Sequence, residues 1–216
     1  MVIRSGKVLH REGYGLADLE KKTRIRPSTP FYLASMGKTF TPMAIMMLAE
    51  RGKLSDDDPL TRFFPDFLPF AREVTLRHLL HHTSGIPDYA NDRLVEDTTG
   101  LTNPQVVELV KRHELKFRPG DRYDYSNSGN VLLAMVVERV AGQPFHQFMQ
   151  ERIFQPLGMN HSRVYDESRP NIAGRARGYT PDNGGYRLND YRQLTVGDGG
   201  IFSTVEDLFL SLIHIS

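Results

Sequence analysis

Cysteine is absent from the 216-residue sequence, which excludes a disulfide framework and any metal site built on thiolates. The longest apolar runs, 44–49 and 131–137, are far shorter than the roughly 20 residues that a membrane-spanning helix requires. We also find no signal peptide, internal repeat or low-complexity segment. These absences predict a soluble globular domain with no membrane span in this chain.

Neither sign of charge dominates the composition. Lys and Arg together number 27, Asp and Glu together number 26, and the formal net charge is +1. Proteins that bind nucleic acid or other acidic surfaces usually carry an excess of positive charge. We therefore predict no nucleic-acid partner.

Two familiar catalytic signatures are also missing. The sequence lacks Gly-x-Ser-x-Gly, which argues against an α/β-hydrolase, and it lacks the His-Glu-x-x-His of zinc proteases. The adjacent pair His81-His82 suggests a metal ligand, but neighbouring residues of a helix point in different directions. No carboxylate accompanies the pair at ligand spacing, so a structural role is favoured over ligation. We predict no metal site and no cofactor.

The order of strand and helix patterns predicts an α/β (α+β) fold. Two short strands, 1–4 and 7–14, are predicted to form a hairpin that turns at Ser5-Gly6. A long helix begins at Ser35, extends to about Arg51 and is ended by Gly52. Two strands make no stable sheet unaided, so the remaining strands are expected beyond residue 216.

Capping residues predict the other helices. Their expected positions are after the N-cap Thr75, from Asn103-Pro104, over 131–140 before Gly142, from Pro144, and after a capping box that joins Ser203 to Glu206. The segment 174–200 is rich in Gly, Asn, Asp and Tyr, and is predicted to be irregular or short-stranded.

The stretch Ser35-Met36-Gly37-Lys38 carries a chemical signal. Residues three apart lie on one face of a helix, so the serine hydroxyl and the lysine amine are within reach of each other. A serine hydroxyl is a poor nucleophile until a base takes its proton, and a lysine amine is such a base only where burial or nearby cations make it partly neutral. The competing interpretation is an N-capping serine followed by an exposed lysine.

A second polar stretch, Tyr125-Ser126-Asn127, leads into the apolar helix 131–140. Taken alone, Tyr125 suits a half-buried aromatic side chain in a turn, and Asn127 suits a helix N-cap. A phenol ordinarily has a pKa of about 10, so it transfers protons near neutral pH only beside cations.

Five stretches, in their order along the chain, resemble the serine β-lactamase and penicillin-binding-protein family, in particular its branch of class C β-lactamases, DD-peptidases and related esterases. They are 7–18, Ser35-Met36-Gly37-Lys38, 75–85 with its ending His82-Thr83-Ser84-Gly85, Pro119-Gly120 with Tyr125-Ser126-Asn127, and 199–204. Ser-x-x-Lys and Tyr-x-Asn are each weak signals, but together and with these flanks they are specific. The resemblance covers nearly the whole chain and implies the family's serine hydrolase fold.

The resemblance implies catalytic roles for Ser35, Lys38 and Tyr125 and a substrate-binding role for Asn127. Ser35 would attack a carbonyl carbon to form an acyl-enzyme, and Lys38 would share its proton. Tyr125 would pass a proton to the leaving group and then activate water. Asn127 would hold the substrate amide through its own amide group. The Ser35 N–H group would supply half of an oxyanion hole.

The family's third motif, a Lys or His followed by Thr or Ser and then Gly, does not occur in residues 128–216. The strand that carries it would supply the second oxyanion donor, and the family's N-terminal helix is not found either. We therefore interpret the chain as one β-lactamase-like domain that is incomplete at both ends. It would comprise a hairpin and lead-in over 1–34, a mainly helical region over 35–170, and a loop-rich region with the start of a helix over 171–216. Residues 210–216 do not resemble the family.

The expected function is that of a serine hydrolase acting through an acyl-enzyme on an amide, β-lactam or ester carbonyl. Its substrate would be a small molecule or peptidoglycan-like, and this chain by itself would be weak or inactive. Two alternatives remain: an esterase or D-aminopeptidase of the same fold, and a non-catalytic homologue that serves as a binding module. The resemblance implies export to the periplasm or the extracellular space. The sequence makes no prediction of oligomeric state.

Overall fold

The computed structural model describes residues 1–67, 69–165, 171–190 and 194–213, which form a mixed α/β fold. The chain folds as two compact units. The strand unit consists of the described residues within Met1–Leu33, Met149–Arg192 and Ile201–Ser216. The helical unit consists of those within Ala34–Phe148 and Gln193–Gly200.

The strands are short and belong to the strand unit. In the described part of the chain they are β1 (Val2–Arg4), β2 (Lys7–His10), β3 (Leu16–Asp18), β4 (Thr23–Arg24), β5 (Phe31–Tyr32), β6 (Arg163–Val164), β7 (Tyr179–Asp182), β8 (Gly185–Leu188) and β9 (Ile201–Ser203). The pairs β1-β2, β3-β4 and β7-β8 are antiparallel ribbons, and β5-β9-β6 is an antiparallel sheet with β9 at its centre.

The α-helices, within the same described ranges, are α1 (Phe40–Glu50), α2 (Leu76–Leu80), α3 (Asn103–Val110), α4 (Asn127–Ala141), α5 (Phe145–Met149) and α6 (Val205–Ile213). A 3₁₀-helix, Ala34–Thr39, leads directly into α1. Further 3₁₀-helical turns span Leu60–Arg62 and Pro69–Glu73, and a π-helical turn spans Gln150–Phe154.

Helix α4 lies at the centre of the helical unit, where it contacts α1, α2 and α3. Its apolar side chains are almost entirely buried, from Val131 to Val137. The hydroxyl of Ser126 accepts a hydrogen bond from the Gly129 N–H at 3.2 Å and caps the first turn. The helix ends where Gly142 adopts a left-handed conformation, with φ of +67°. Burial of these apolar side chains stabilises the unit.

Helices α2 and α3 each begin at a capping threonine. Thr75 accepts from the His78 N–H, and the His78 ring accepts in return from the Thr75 N–H at 3.1 Å. Thr102 and Gln105 form the equivalent box at α3. The predicted N-cap at Thr75 is therefore present, and α3 begins at the predicted Asn103-Pro104.

The segment 195–200 is fixed to three helices of the helical unit. The side chain of Asn103 on α3 makes two hydrogen bonds with the backbone of Val196. Its Oδ1 accepts from the Val196 N–H at 2.8 Å, and its Nδ2 donates to the Val196 carbonyl at 3.1 Å. Thr41 on α1 donates to the Gly197 carbonyl at 2.8 Å. A Cβ atom on Gly197 would lie 2.4 Å from the Asn130 carbonyl oxygen on α4. The backbone beyond this glycine is thereby placed closely against the helices.

In the strand unit, a buried polar cluster joins β9, the start of β6 and the first turn of α6. Asp207 accepts from the Ser162 hydroxyl at 2.7 Å and from the His161 N–H at 2.8 Å. The hydroxyls of Ser162 and Ser203 lie 2.7 Å apart. Thr204 caps α6 by accepting from the Asp207 N–H at 3.1 Å. The predicted Ser203-Glu206 box is thus wrong by one residue, because Ser203 belongs to the buried strand β9.

Three predicted boundaries differ from the structure. The first hairpin turns at Ser5-Gly6 as predicted, with φ of +48° and +72°, but its second strand ends at His10. A 3₁₀-helix replaces the first turn of the predicted helix at Ser35, while Gly52 ends α1 as expected, with φ of +66°. Helix α4 begins four residues before the predicted 131–140, because Ser126 rather than a later residue caps it.

The three-stranded sheet β5-β9-β6 was not predicted. The sequence analysis assigned β5 to a lead-in and predicted no strand at β6 or β9. The expectation of further sheet strands beyond residue 216 stays a prediction. The ribbon β7-β8 agrees with the expected short-stranded character of 174–200. Residues 214–216 of the divergent segment 210–216 lie outside the described residues. The assignment of 1–216 to one domain stays a prediction.

Candidate active site

Ser35 is exposed at the start of the 3₁₀-helix that precedes α1. In a 3₁₀-helix, residues three apart eclipse one another, so Lys38 is directed to the same side. Its Nζ atom donates a hydrogen bond to Ser35 Oγ at 3.2 Å, although the lysine itself is only 8% exposed. Ala34, just before the serine, has a left-handed backbone with φ of +48°. The Ser35 N–H group lies in the first turn, where backbone donors have no partner within the helix.

Lys38 has three hydrogen-bond partners of two kinds. Nζ donates to Asn127 Oδ1 at 2.8 Å and to the backbone carbonyl of Asp198, both of which can only accept. The third partner, Ser35 Oγ, can donate or accept. An ammonium group satisfies all three as a donor, whereas a neutral amine still donates to the two carbonyls and can accept from the serine. The arrangement therefore accommodates a proton on either side of the Ser35–Lys38 contact.

Tyr125 approaches Ser35 from the segment before α4. Its hydroxyl donates to Ser35 Oγ at 2.9 Å, and the centre of its ring lies 5.1 Å from Lys38 Nζ. The negative face of an aromatic ring attracts a cation at this distance. An amine and a phenol thus meet one exposed serine oxygen.

Asn127 is the first residue of α4, and Asp88 sets the orientation of its side chain. Asp88 is 1% exposed, and it accepts from the Asn127 N–H and from Asn127 Nδ2, the latter at 3.3 Å. The same carboxylate accepts from the N–H groups of Ala90 and Asn91 at 2.8 and 2.7 Å. Because Nδ2 faces a carboxylate, Oδ1 is the amide atom that faces Lys38.

The next residue, Tyr89, holds the other carbonyl partner of Lys38. Its hydroxyl donates to Asp198 Oδ2 at 2.6 Å and lies 3.1 Å from the hydroxyl of Thr195. Burial raises the pKa of the Asp198 carboxyl above its ordinary value, while the Tyr89 hydrogen bond and the charge of Lys38 oppose that rise. Asp88 and Tyr89 therefore orient both obligate acceptors of the lysine.

The structure brings together all four residues singled out in the sequence: Ser35, Lys38, Tyr125 and Asn127. Their catalytic and binding roles stay predictions. Asn127 is not the N-cap of its helix, because Ser126 occupies that position.

The sequence reasoning missed Asp88, Tyr89 and Asp198. Each lies near a stretch that carried the family resemblance. Asp88 and Tyr89 come shortly after the stretch 75–85, directly behind Pro87, and Asp198 directly precedes Gly199. Proximity to these stretches was the available signal. Among the described residues, no group of three or more His, Cys, Asp or Glu side chains is placed to hold a metal ion.

The family model for beta-lactamase matches residues 1–210. This chain belongs to the beta-lactamase family. Its mixed α/β fold and its predicted family resemblance are thereby confirmed.

Two proteins named as penicillin-binding proteins are similar to this chain over most of its length. Penicillin-binding protein 4* of Bacillus subtilis (strain 168) is 35% identical over 221 residues, which cover 94% of this chain and 49% of that protein. The octameric penicillin-binding protein homologue from Pyrococcus abyssi is 34% identical, with a TM-score of 0.83 over 97% of this chain and 50% of that one. The chain therefore spans about half the length of these relatives.

A third similar protein is a D-amino acid amidase from Ochrobactrum anthropi SV3, solved in complex with L-phenylalanine amide. It is 31% identical, with a TM-score of 0.79 over 92% of this chain and 58% of that one. The family thus contains hydrolases, which agrees with the prediction that the chain is of hydrolase type. Within the described part of this chain, no helix has the length and apolar character to cross a bilayer.

Proposed function

We propose that this site forms an acyl-enzyme on Ser35 with substrates that contain an amide, β-lactam or ester carbonyl. The observation that carries the proposal is the approach of two proton-transfer groups to one exposed hydroxyl, with Lys38 Nζ at 3.2 Å and Tyr125 OH at 2.9 Å from Ser35 Oγ. Both distances are within the reach that proton transfer requires.

The first half of the reaction forms the bond between Ser35 Oγ and the carbonyl carbon. The serine proton passes to Lys38, and Tyr125 delivers a proton to the leaving nitrogen or oxygen as its bond to the carbonyl carbon breaks. The Ser35 N–H group, in the first turn of its helix, stabilises the negative carbonyl oxygen of the intermediate.

The second half is hydrolysis of the acyl-enzyme. Water adds to the acyl carbon as it gives a proton to Tyr125, and the bond to Ser35 Oγ breaks as Lys38 returns its proton to the serine. The net change is the addition of one water across the original amide or ester bond. Asn127, fixed by Asp88, would bind the substrate amide beside the lysine.

The substrate class we favour is an amide or peptide with a D-amino acid, which includes peptidoglycan-like ends. The similarity to a D-amino acid amidase and to penicillin-binding proteins supports this choice. An esterase of the same fold would use the same four residues, so a panel of D-Ala-D-Ala peptides, D-amino acid amides, β-lactams and p-nitrophenyl esters separates the two. Export from the cytoplasm and the peptidoglycan-like substrate remain part of the proposal.

Covalent labelling tests the nucleophile. We expect a fluorescent penicillin or a fluorophosphonate to label the chain, and mass spectrometry to locate the adduct on Ser35. Ser35→Ala should abolish the label, whereas Ser28→Ala, at another exposed serine, should leave it unchanged. Equal labelling of the Ser35→Ala variant would refute the assignment. Absence of any adduct on the parent chain would favour the non-catalytic binding module.

We also propose that the 216 residues alone turn over substrate slowly. Loss of one oxyanion donor typically lowers the rate by about 10²–10³, and the family's third motif does not occur in residues 128–216. Turnover of a chromogenic β-lactam or a p-nitrophenyl ester at ordinary enzymatic rates by the purified chain would contradict this proposal.

A further inference from the structure

His82 follows the short helix α2 and has an unusual backbone. Its φ is +55°, in the left-handed region that non-glycine residues seldom adopt. Residues held in this region cost folding energy and persist where surrounding contacts fix them. The side chain of His82 is half-buried, whereas the neighbouring His81 is exposed. The two adjacent histidines therefore occupy different environments.

Four consecutive residues, 123–126, contact His82. Its carbonyl accepts from the Asp124 N–H at 2.8 Å, and its ring atom Nδ1 accepts from the Ser126 N–H at 3.1 Å. Between these two bonds, its ring stacks on the Tyr125 ring with centres 4.7 Å apart and planes 30° apart. The Tyr123 ring contacts the His82 ring edge-on, with ring centres 5.9 Å apart. One residue thus accepts from the N–H groups of both chain neighbours of Tyr125 and also contacts one face of its ring.

We propose that neutral His82 is a positioning residue that fixes the Tyr125 hydroxyl beside Ser35, and that protonation of His82 releases the 123–126 segment. The inference rests on the proposed function only for the role of Tyr125 in proton transfer. The positioning itself depends on the hydrogen bonds and ring contact of His82 alone.

The chemistry of the Ser126 contact requires the neutral ring. An N–H donor that faces Nδ1 needs a lone pair there, so the single ring proton resides on Nε2. Protonation would place a second N–H group opposite the Ser126 N–H, and the two donors would repel each other. The Ser126 N–H would then lose its acceptor at the point where α4 begins.

The charges around the imidazole favour its neutral form. Burial lowers the pKa of His82 below its ordinary value of 6.5, and the positive charge of Lys38 and, to a smaller extent, of His81 lowers it further. Asp88 acts in the opposite direction. The other titratable groups in contact with the ring are the phenols of Tyr123 and Tyr125.

The sign of the pH effect follows from this direction. Because the pKa of His82 is lower in the folded state than in the unfolded state, the stability it contributes is fully present above about pH 6.5. That contribution falls as the pH decreases from 6.5 towards the folded pKa, since the unfolded chain then binds the proton more readily. The segment 123–126 should loosen at lower pH still, as the pH falls through the folded pKa of His82, because only then does the folded ring gain its second proton.

Two substitutions separate the roles of the side chain. His82→Asn keeps an acceptor near the place of Nδ1 and tolerates the left-handed backbone, but it loses the ring. His82→Gln loses both the ring and the acceptor at that place, because its amide oxygen lies one bond further out. The matched control is His81→Gln, which alters the exposed neighbour.

The test is NMR spectroscopy of the 216-residue chain between pH 4.5 and 8. We expect His82 to carry its proton on Nε2 at pH 7.5 and to titrate with a pKa below its ordinary value of 6.5. The Ser126 amide and the Tyr125 ring signals should shift with the midpoint of His82. His82→Gln should shift both signals at pH 7.5, whereas His82→Asn should shift the Tyr125 ring but largely preserve the Ser126 amide.

A second readout is the rate of Ser35 labelling by a fluorophosphonate. Misplacement of a reacting group by about 1 Å can cost up to 10²-fold in rate, so we expect a 10- to 100-fold loss in His82→Gln and less than a twofold change in His81→Gln. The rate of the parent chain should fall with the His82 midpoint as the pH decreases, and this acid limb should be absent from His82→Asn.

Either of two results would overturn the inference. One is a proton on Nδ1 of His82 at pH 7.5, and the other is that the Ser126 and Tyr125 signals stay fixed while His82 titrates. Because the NMR signals do not require reactivity, they decide the positioning even if Ser35 is never labelled. An unlabelled parent chain with coupled NMR titrations would thus refute the proposed function while supporting the role of His82.

Discussion

Two buried polar clusters, one in each unit, differ in where their hydrogen bonds end. In the strand unit, Asp207, Ser162 and Ser203 are each at most 2% exposed, and their side chains bond to one another and to backbone groups. Asp207 also lies 3.5 Å from Nδ1 of the exposed His161 ring. In the helical unit, the bonds that involve Asp88 and Asp198 lead through Lys38 to Ser35, which is exposed. The first cluster, which we call the closed cluster, keeps its carboxylate and both hydroxyls buried, whereas the second, the open cluster, ends in an exposed hydroxyl.

This difference shows how similar interactions serve different purposes. A closed cluster satisfies buried polar groups and so stabilises the junction of a strand and a helix. A cluster that ends at the surface fixes the geometry of an exposed hydroxyl, and it retains a buried amine that an apolar replacement would avoid. We expect substitutions in the open cluster to affect labelling of Ser35 first, and those in the closed cluster to affect stability alone.

The largest effect should come from Lys38→Met. It removes the amine from Ser35 Oγ, and loss of a general base usually lowers rates by about 10²–10⁴-fold. The measurement is the rate of fluorophosphonate labelling, with circular dichroism to verify folding. Lys53→Met, at an exposed lysine, serves as the control. A Lys38→Met rate within threefold of the parent would abolish the distinction between the clusters.

Gly197→Ala should affect both stability and labelling. The new Cβ would meet the Asn130 carbonyl oxygen at 2.4 Å and the Ala134 Cβ at 2.6 Å, at a residue with φ of +98°. Overpacking and backbone strain together predict a loss of about 3 kcal/mol or more. Gly142→Ala is a matched control, since its φ is also positive but nothing lies within 4 Å, and about 1 kcal/mol is expected. Urea unfolding measures the stability of both variants, and equal losses of stability would contradict the close packing at Gly197.

Asp207→Ala should destabilise the chain without a selective effect on the site. It leaves Ser162 Oγ and the His161 N–H without their carboxylate acceptor, which predicts a loss of about 3 kcal/mol. Urea unfolding gives the stability, and labelling is compared per folded molecule. Asp182→Ala, at an exposed aspartate of the same unit, should cost less than about 0.5 kcal/mol. A large fall in labelling by folded Asp207→Ala would contradict the assignment of the closed cluster to stability.

Tyr89→Phe should have the smallest effect. It removes one hydroxyl donor from Asp198, which predicts a loss of about 1 kcal/mol and slower labelling by a few fold. Because that hydrogen bond lowers the pKa of the Asp198 carboxyl, its removal should raise this pKa further. Carboxyl ¹³C shifts followed by NMR report the titration, with Tyr186→Phe, at an exposed tyrosine, as the control. A downward shift for Tyr89→Phe would show that the hydroxyl does not stabilise the carboxylate.

Local patterns were sufficient for one half of the site. Ser35 and Lys38 are three residues apart, and that spacing alone predicts their contact in either a 3₁₀-helix or an α-helix. Tyr125 and Asn127 lie about 90 residues further along, so only the family resemblance linked them to the serine. The proposal of export stays a prediction.

The supporting residues were not predictable in the same way. Asp88 and Asp198 are ordinary aspartates in the sequence, and their importance depends on burial among groups that are distant along the chain. The sheet β5-β9-β6 escaped prediction because its strands of two or three residues are too short to show a period-2 pattern. The cap of α6 was misplaced by one residue, since serine is the stronger N-cap residue and only the strand β9 shows that Thr204 takes that position.

The left-handed backbone of Ala34 limits which residues can stand directly before Ser35. β-Branched residues strongly disfavour a φ near +48°, whereas glycine, asparagine and aspartate adopt it readily. A library randomised at codon 34 and sorted for folded protein should therefore retain alanine and these three residues, and lose valine, isoleucine and threonine. Variation at this position is constrained by stereochemistry, even though the alanine side chain itself is exposed to solvent.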